Sequence, residues 1–94
     1  MAELVRVFEN DDAGYMGWLA SNPYGYVLSF NRALRAQQPG LHRAKCAAIS
    51  GGPAISTTWT KDYIKICSLS KNAVLGWART QTSQEPKPCA LCNP

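Results

Sequence analysis

A chain of 94 residues is the size of one domain, and 46% hydrophobic content with three Trp and four Tyr excludes a disordered tail. Charge is divided unevenly. Residues 1–30 carry Glu3, Glu9, Asp11 and Asp12 against Arg6, a balance of −3, whereas residues 31–94 carry nine Lys and Arg against Asp62 and Glu85, a balance of +7. No stretch approaches the ~20 consecutive apolar residues of a membrane helix. Glu3, Arg6 and Glu9 interrupt the segment where a signal peptide needs apolar continuity, so a cytoplasmic protein with no membrane partner is expected.

In chain order, Leu4-Val-Arg-Val-Phe8 is a short β-prone run. Asn10, Asp11 and Asp12 are candidate helix caps, and Tyr15, Trp18 and Leu19 fall on one face of a short helix. Asn22-Pro-Tyr-Gly25 ends that helix, because the residue before a proline is pushed out of helical geometry. Tyr26 to Phe30 reads as a strand, residues 31–39 as a basic exposed loop, and Gly40 to His42 as a second short strand. Residues 50–58, rich in Gly, Ser and Thr, form a loop.

Tyr63-Ile-Lys-Ile-Cys67 alternates, which predicts a half-buried strand with Ile64 and Ile66 inward. Ser68 or Ser70 caps a following helix whose inner stripe pairs Ala73 with Trp77 and Val74 with Ala78. A polar loop over 80–88 leads into Pro88-Cys-Ala-Leu-Cys92, read as a single helical turn. The expected class is α+β: one domain over 1–94, a small antiparallel sheet with two or three short helices. Its front, 1–30, is an acidic strand and helix, and 31–94 is a basic metal-binding part.

Two soft-ligand pairs stand out. His42 and Cys46 lie four positions apart, and Cys89 and Cys92 lie three apart, the spacing at which one tight turn presents two thiols to a single ion. In a reducing compartment this reads as a closed tetrahedral zinc site more readily than as disulfides. A domain this small buries about 60–70% of its unfolded surface. A structural zinc, worth on the order of 10–16 kcal/mol, would rival the stability of the whole fold. Cys67, in a strand pattern, reads as a small buried hydrophobe instead.

At these residues the chain resembles, at a distance, the N-terminal zinc-binding domain of the Ada DNA-repair family. The counterparts are Leu41-His-Arg-Ala-Lys-Cys46, Tyr63 to Cys67, Ser70 to Trp77, and Lys87-Pro-Cys-Ala-Leu-Cys-Asn-Pro94, and the likeness covers roughly 24–94. The front segment from Trp18 to Leu28 is similar to uncharacterised bacterial proteins. The resemblance implies the zinc, the fold and a surface facing nucleic acid. It does not imply repair: the thiolate that accepts a methyl group in the Ada family is His42 here, and a metal-bound imidazole lacks that nucleophilic lone pair. The 42 residues between Cys46 and Cys89 also exceed what the family leads one to expect.

With its only His on the metal, the chain has no imidazole base, so catalysis is not expected. The expected function is nucleic-acid binding, most simply to DNA. Arg32, Arg35, Arg43, Lys45, Lys61 and Lys65 would neutralise phosphates, and Trp59 would stack on bases. The alternative is a protein-interaction or regulatory module with purely structural zinc, favoured if aromatic residues stand exposed among scattered charges. A third reading uses Cys89 and Cys92 as alkyl acceptors or redox thiols.

Overall fold

The computed structural model describes residues 5–31, 38–46, 60, 63–90 and 92–94. Its elements are β1 (Arg6–Phe8), α1 (Asp12–Ser21), β2 (Tyr26–Asn31), β3 (Gly40–Arg43), β4 (Tyr63–Ser68), α2 (Lys71–Thr82) and β5 (Lys87–Pro88). The class is α+β, as expected, with two helices among the described residues. The sheet is five-stranded in the order β1-β4-β2-β3-β5, and it is mixed where an antiparallel one was expected. The reason lies in the path of the chain. Helix α2 carries it back to the end of the sheet where β3 begins, so β5 must run parallel to β3, with Gly40 opposite Lys87 and Leu41 opposite Pro88.

The helix boundaries follow local chemistry. Asp11 Oδ1 accepts from the Gly14 N–H (2.9 Å), capping α1, and the Asp11 N–H donates to Thr60 Oγ1 (2.7 Å). At the other end the Asn22 N–H donates to the Trp18 carbonyl (2.9 Å), and the chain turns through Gly25. A Cβ at Gly25 would lie 2.5 Å from Trp18 Cη2, so only glycine passes there. For α2 the cap is Ser70, whose hydroxyl accepts from the Ala73 N–H (3.3 Å). This helix continues past the expected loop start to Thr82 and stops at Ser83, whose φ of 59° is left-handed.

One helix covers each face of the sheet. On the α2 face Leu28, Phe30, Leu41, Ile66, Val74 and Ala78 form an apolar cluster, with Trp77 set edge-on against Phe30 at 6.2 Å. On the α1 face Phe8, Tyr15, Leu19, Val27 and Cys67 pack together, and Ala44 and Cys46 extend that cluster toward Cys89 and Cys92. Strand β4 therefore departs from the half-buried expectation. Its alternation is as read, but it lies between β1 and β2 under a helix on each side, so it is buried from Lys65 to Ser68. No described helix is long and apolar enough to cross a membrane.

Candidate metal centre

Strand β3 presents His42 on the α1 face, in register with Val27 of β2. Beyond Arg43 the chain turns, with the Cys46 N–H donating to the Arg43 carbonyl and the Ala44 N–H to the Gly25 carbonyl (both 2.9 Å). That turn swings Cys46 back over the same face. The second pair arrives along β5, which is stitched to β3 by Lys87 N–H to Pro39 carbonyl (2.8 Å) and Cys89 N–H to Leu41 carbonyl (2.9 Å). The Asn93 N–H then closes a turn onto the Cys89 carbonyl (3.0 Å) and brings Cys92 around.

The result is one cluster. A ligand atom from each of His42, Cys46, Cys89 and Cys92 lies within 4.8 Å of the others, and Cys46 Sγ and Cys89 Sγ are 3.8 Å apart. Two sulfurs each ~2.3 Å from a zinc ion at a tetrahedral angle are separated by ~3.8 Å. None of the four cysteines forms a disulfide, 3.8 Å being far beyond the ~2.05 Å of an S–S bond. These residues are close enough to hold a metal ion.

Three further features suit them to it. His42 Nδ1 is buried with no hydrogen-bond partner, a condition that costs about 1–3 kcal/mol unless something ligates the nitrogen. Burial, and secondarily the Lys65 ammonium, hold the His42 pKa below its ordinary value, which favours the neutral imidazole a metal requires. The Arg43 backbone N–H donates to Cys92 Sγ (3.3 Å), an outer contact that tempers thiolate charge. Gly40 makes room for the ring, since a Cβ there would stand 3.2 Å from His42 Nε2. Its role has a sequence signature only in hindsight: two residues before His42 on a strand is the same face.

Arg43 does more than flank a ligand. Its Nε donates to the carbonyls of Cys92 (2.9 Å) and Asn93 (3.2 Å), and Nη2 to that of Asn93 (2.9 Å), so its guanidinium clamps the C-terminal turn onto β3. Nothing in the sequence signals that clamp. Cys67 is fully buried, and burial pushes its thiol pKa up to about 12, which leaves it the inert hydrophobe expected.

The residues expected to meet nucleic acid divide. Arg32, Arg35, Trp59 and Lys61 lie outside the described residues. Arg43 and Lys45 are exposed beside the cluster, with Lys45 Nζ 4.8 Å from the centre of the Tyr24 ring. Lys65 corrects the expectation. It is only 4% exposed, its ammonium donates to Ser29 Oγ (3.1 Å), and burial pulls its pKa down to about 8. Alternation along β4 does turn Lys65 away from Ile64 and Ile66, but the face it meets lies beneath α1 instead of open solvent. No protein-family model, no curated protein and no solved structure matches this chain.

Proposed function

We propose that this chain is a non-catalytic nucleic-acid-binding module, most simply for DNA, held in shape by one structural zinc ion. The observation that carries the zinc is the 3.8 Å separation of Cys46 and Cys89 sulfurs within a four-ligand cluster. Zinc bound there would cross-link β3 to the C-terminal turn and nothing more. Three thiolates and an imidazole fill a tetrahedron and leave no open position for a water or substrate. The motif order that resembles the Ada zinc domain agrees with this use of the metal, and His42 in the acceptor position argues against methyl transfer. A reducing cytoplasm would keep the ligands competent.

The nucleic-acid reading is supported by the +7 balance of residues 31–94, of which a Cys3His zinc removes only about one charge. A labelled oligonucleotide titrated with zinc-loaded protein at several salt concentrations tests it. The logarithm of affinity should fall linearly with that of salt, with a slope reflecting several phosphates. No binding at low salt would refute the reading. Leu69, an apolar side chain at 65% exposure, favours the second reading, a protein-interaction module with the same zinc. Saturable oligonucleotide binding separates the two.

A further inference from the structure

We infer that the metal-bearing end of the sheet is a site for single-stranded nucleic acid, where Tyr24 stacks on an unpaired base while Arg43, Lys45 and Lys71 contact phosphates. This deepens the nucleic-acid reading above and rests on it. The register brings these residues together. Tyr26 pairs with Arg43 on one side and with Ser68 on the other, so it marks one end of the sheet. Just past those pairs lie Tyr24 on the loop before β2, Lys45 in the turn after β3, Leu69 between β4 and α2, and Lys71 at the first position of α2. Arg43, Lys45 and Lys71 are all exposed.

The described acidic residues sit at the opposite end. Glu9, Asp11 and Asp12 follow the Phe8–Lys65 pair and cap the far end of α1, where the Asn10 N–H donates to the Thr60 carbonyl. Glu85 precedes Lys87, the partner of Gly40, and is ion-paired with Arg79. Among the described side chains that flank Tyr24 at the metal end, Arg43, Lys45 and Lys71 are cationic, Lys71 Nζ also donating to Pro94 O (3.3 Å), and a cationic rim around an aromatic ring draws a polyanion.

Tyr24 supplies the reason to favour a single strand. At 81% exposure its ring stands clear of the surface, against 41% for Tyr63. It is held there. Gly25 is fixed by its N–H to the Asn22 carbonyl (3.0 Å), and the Lys45 ammonium lies over the ring at 4.8 Å. A duplex keeps its base faces stacked inside, so such a ring meets only its backbone. An unpaired base offers the ring a whole π face, with Leu69 as an apolar margin. The metal is coupled to this site, because the Arg43 guanidinium is bonded to the carbonyls of Cys92 and Asn93, which the ligand turn positions.

Fluorescence anisotropy on the full zinc-loaded chain tests the site, using a labelled oligothymidylate and a mixed-sequence duplex of equal length. The single strand should bind more tightly than the duplex. Tyr24→Ala should weaken single-strand binding by roughly 5- to 150-fold, the loss of one stacked base, and Tyr24→Phe should retain it. Lys45→Ala and Lys71→Ala should each reduce the salt slope by about one. Equal binding of duplex and single strand, or an unaltered Tyr24→Ala, would overturn this site while leaving the nucleic-acid reading intact. Absence of binding to either oligonucleotide would overturn both. An acidic peptide bound through Tyr24 in place of any oligonucleotide would assign the surface to a protein partner and overturn the inference.

Discussion

The two faces of the sheet are closed by different side chains. Under α2, Leu28, Phe30, Leu41, Ile66, Val74 and Ala78 meet as aliphatic and aromatic side chains with no charged group among them. Under α1 the same sheet carries Lys65 and Cys67, and its cluster runs out into Cys46, Cys89 and Cys92. The α1 face instead ends in four residues close enough to hold a metal ion, and the buried His42 Nδ1, which has no hydrogen-bond partner, belongs to that group. Both faces are closed by packing, and the proposed metal ion would add a cross-link to the α1 face alone.

The largest expected effect lies on the α1 face. Chelation, or Cys89→Ser, should remove a contribution on the order of 10 kcal/mol, comparable to the entire stability of a small domain. Thermal melting followed by circular dichroism should show a collapsed Tm or no cooperative transition. Retention of the wild-type Tm after chelation would put the two faces on an equal footing. The matching experiment on the α2 face is Ile66→Ala, at a fully buried position. It should cost about 2–5 kcal/mol in denaturant unfolding yet leave the metal-to-protein ratio unchanged.

Smaller effects sharpen the contrast. Asp11→Ala and Ser70→Ala each remove a cap bond, to Gly14 and Ala73 respectively, and each should cost about 1 kcal/mol. Because caps are local, the two values should be similar despite the unlike faces.

Lys65 gives the α1 face a pH signature. Burial lowers its folded-state pKa to about 8, below the ordinary lysine value. Between those two values the unfolded chain binds more protons than the folded one, so stability rises with pH across that window. Lys65→Met should flatten that rise in Tm measured from pH 7 to 10, and an unchanged slope would show that Lys65 is not its source.

Features set by neighbouring residues were legible in the sequence. The Asp11 cap, the stop at Asn22-Pro23, the alternation of β4 and the Ser70 cap each depend on a few adjacent side chains. The four clustered residues were legible because soft ligands at short spacing have few other uses. Features set by distant neighbours were not legible. Lys87-Pro88 has no strand signal of its own, and its pairing with β3, which sets Cys89 near His42, depends on residues more than forty positions away. The burial of β4 depends on which strands flank it, and Lys65 reads as a surface lysine until α1 covers its face. Arg43 reads as a phosphate contact, and its clamp on Cys92 and Asn93 exists only once the two ends meet.

The central claim is that one metal ion joins His42, Cys46, Cys89 and Cys92. Native mass spectrometry with elemental analysis of the purified chain tests it most directly, alongside Cys89→Ser. The wild-type chain should carry one zinc and yield three ligand thiols to titration after chelation, and the variant should lose the bound ion. A chain that is folded and metal-free, or one whose cysteines are oxidised in pairs, would contradict it.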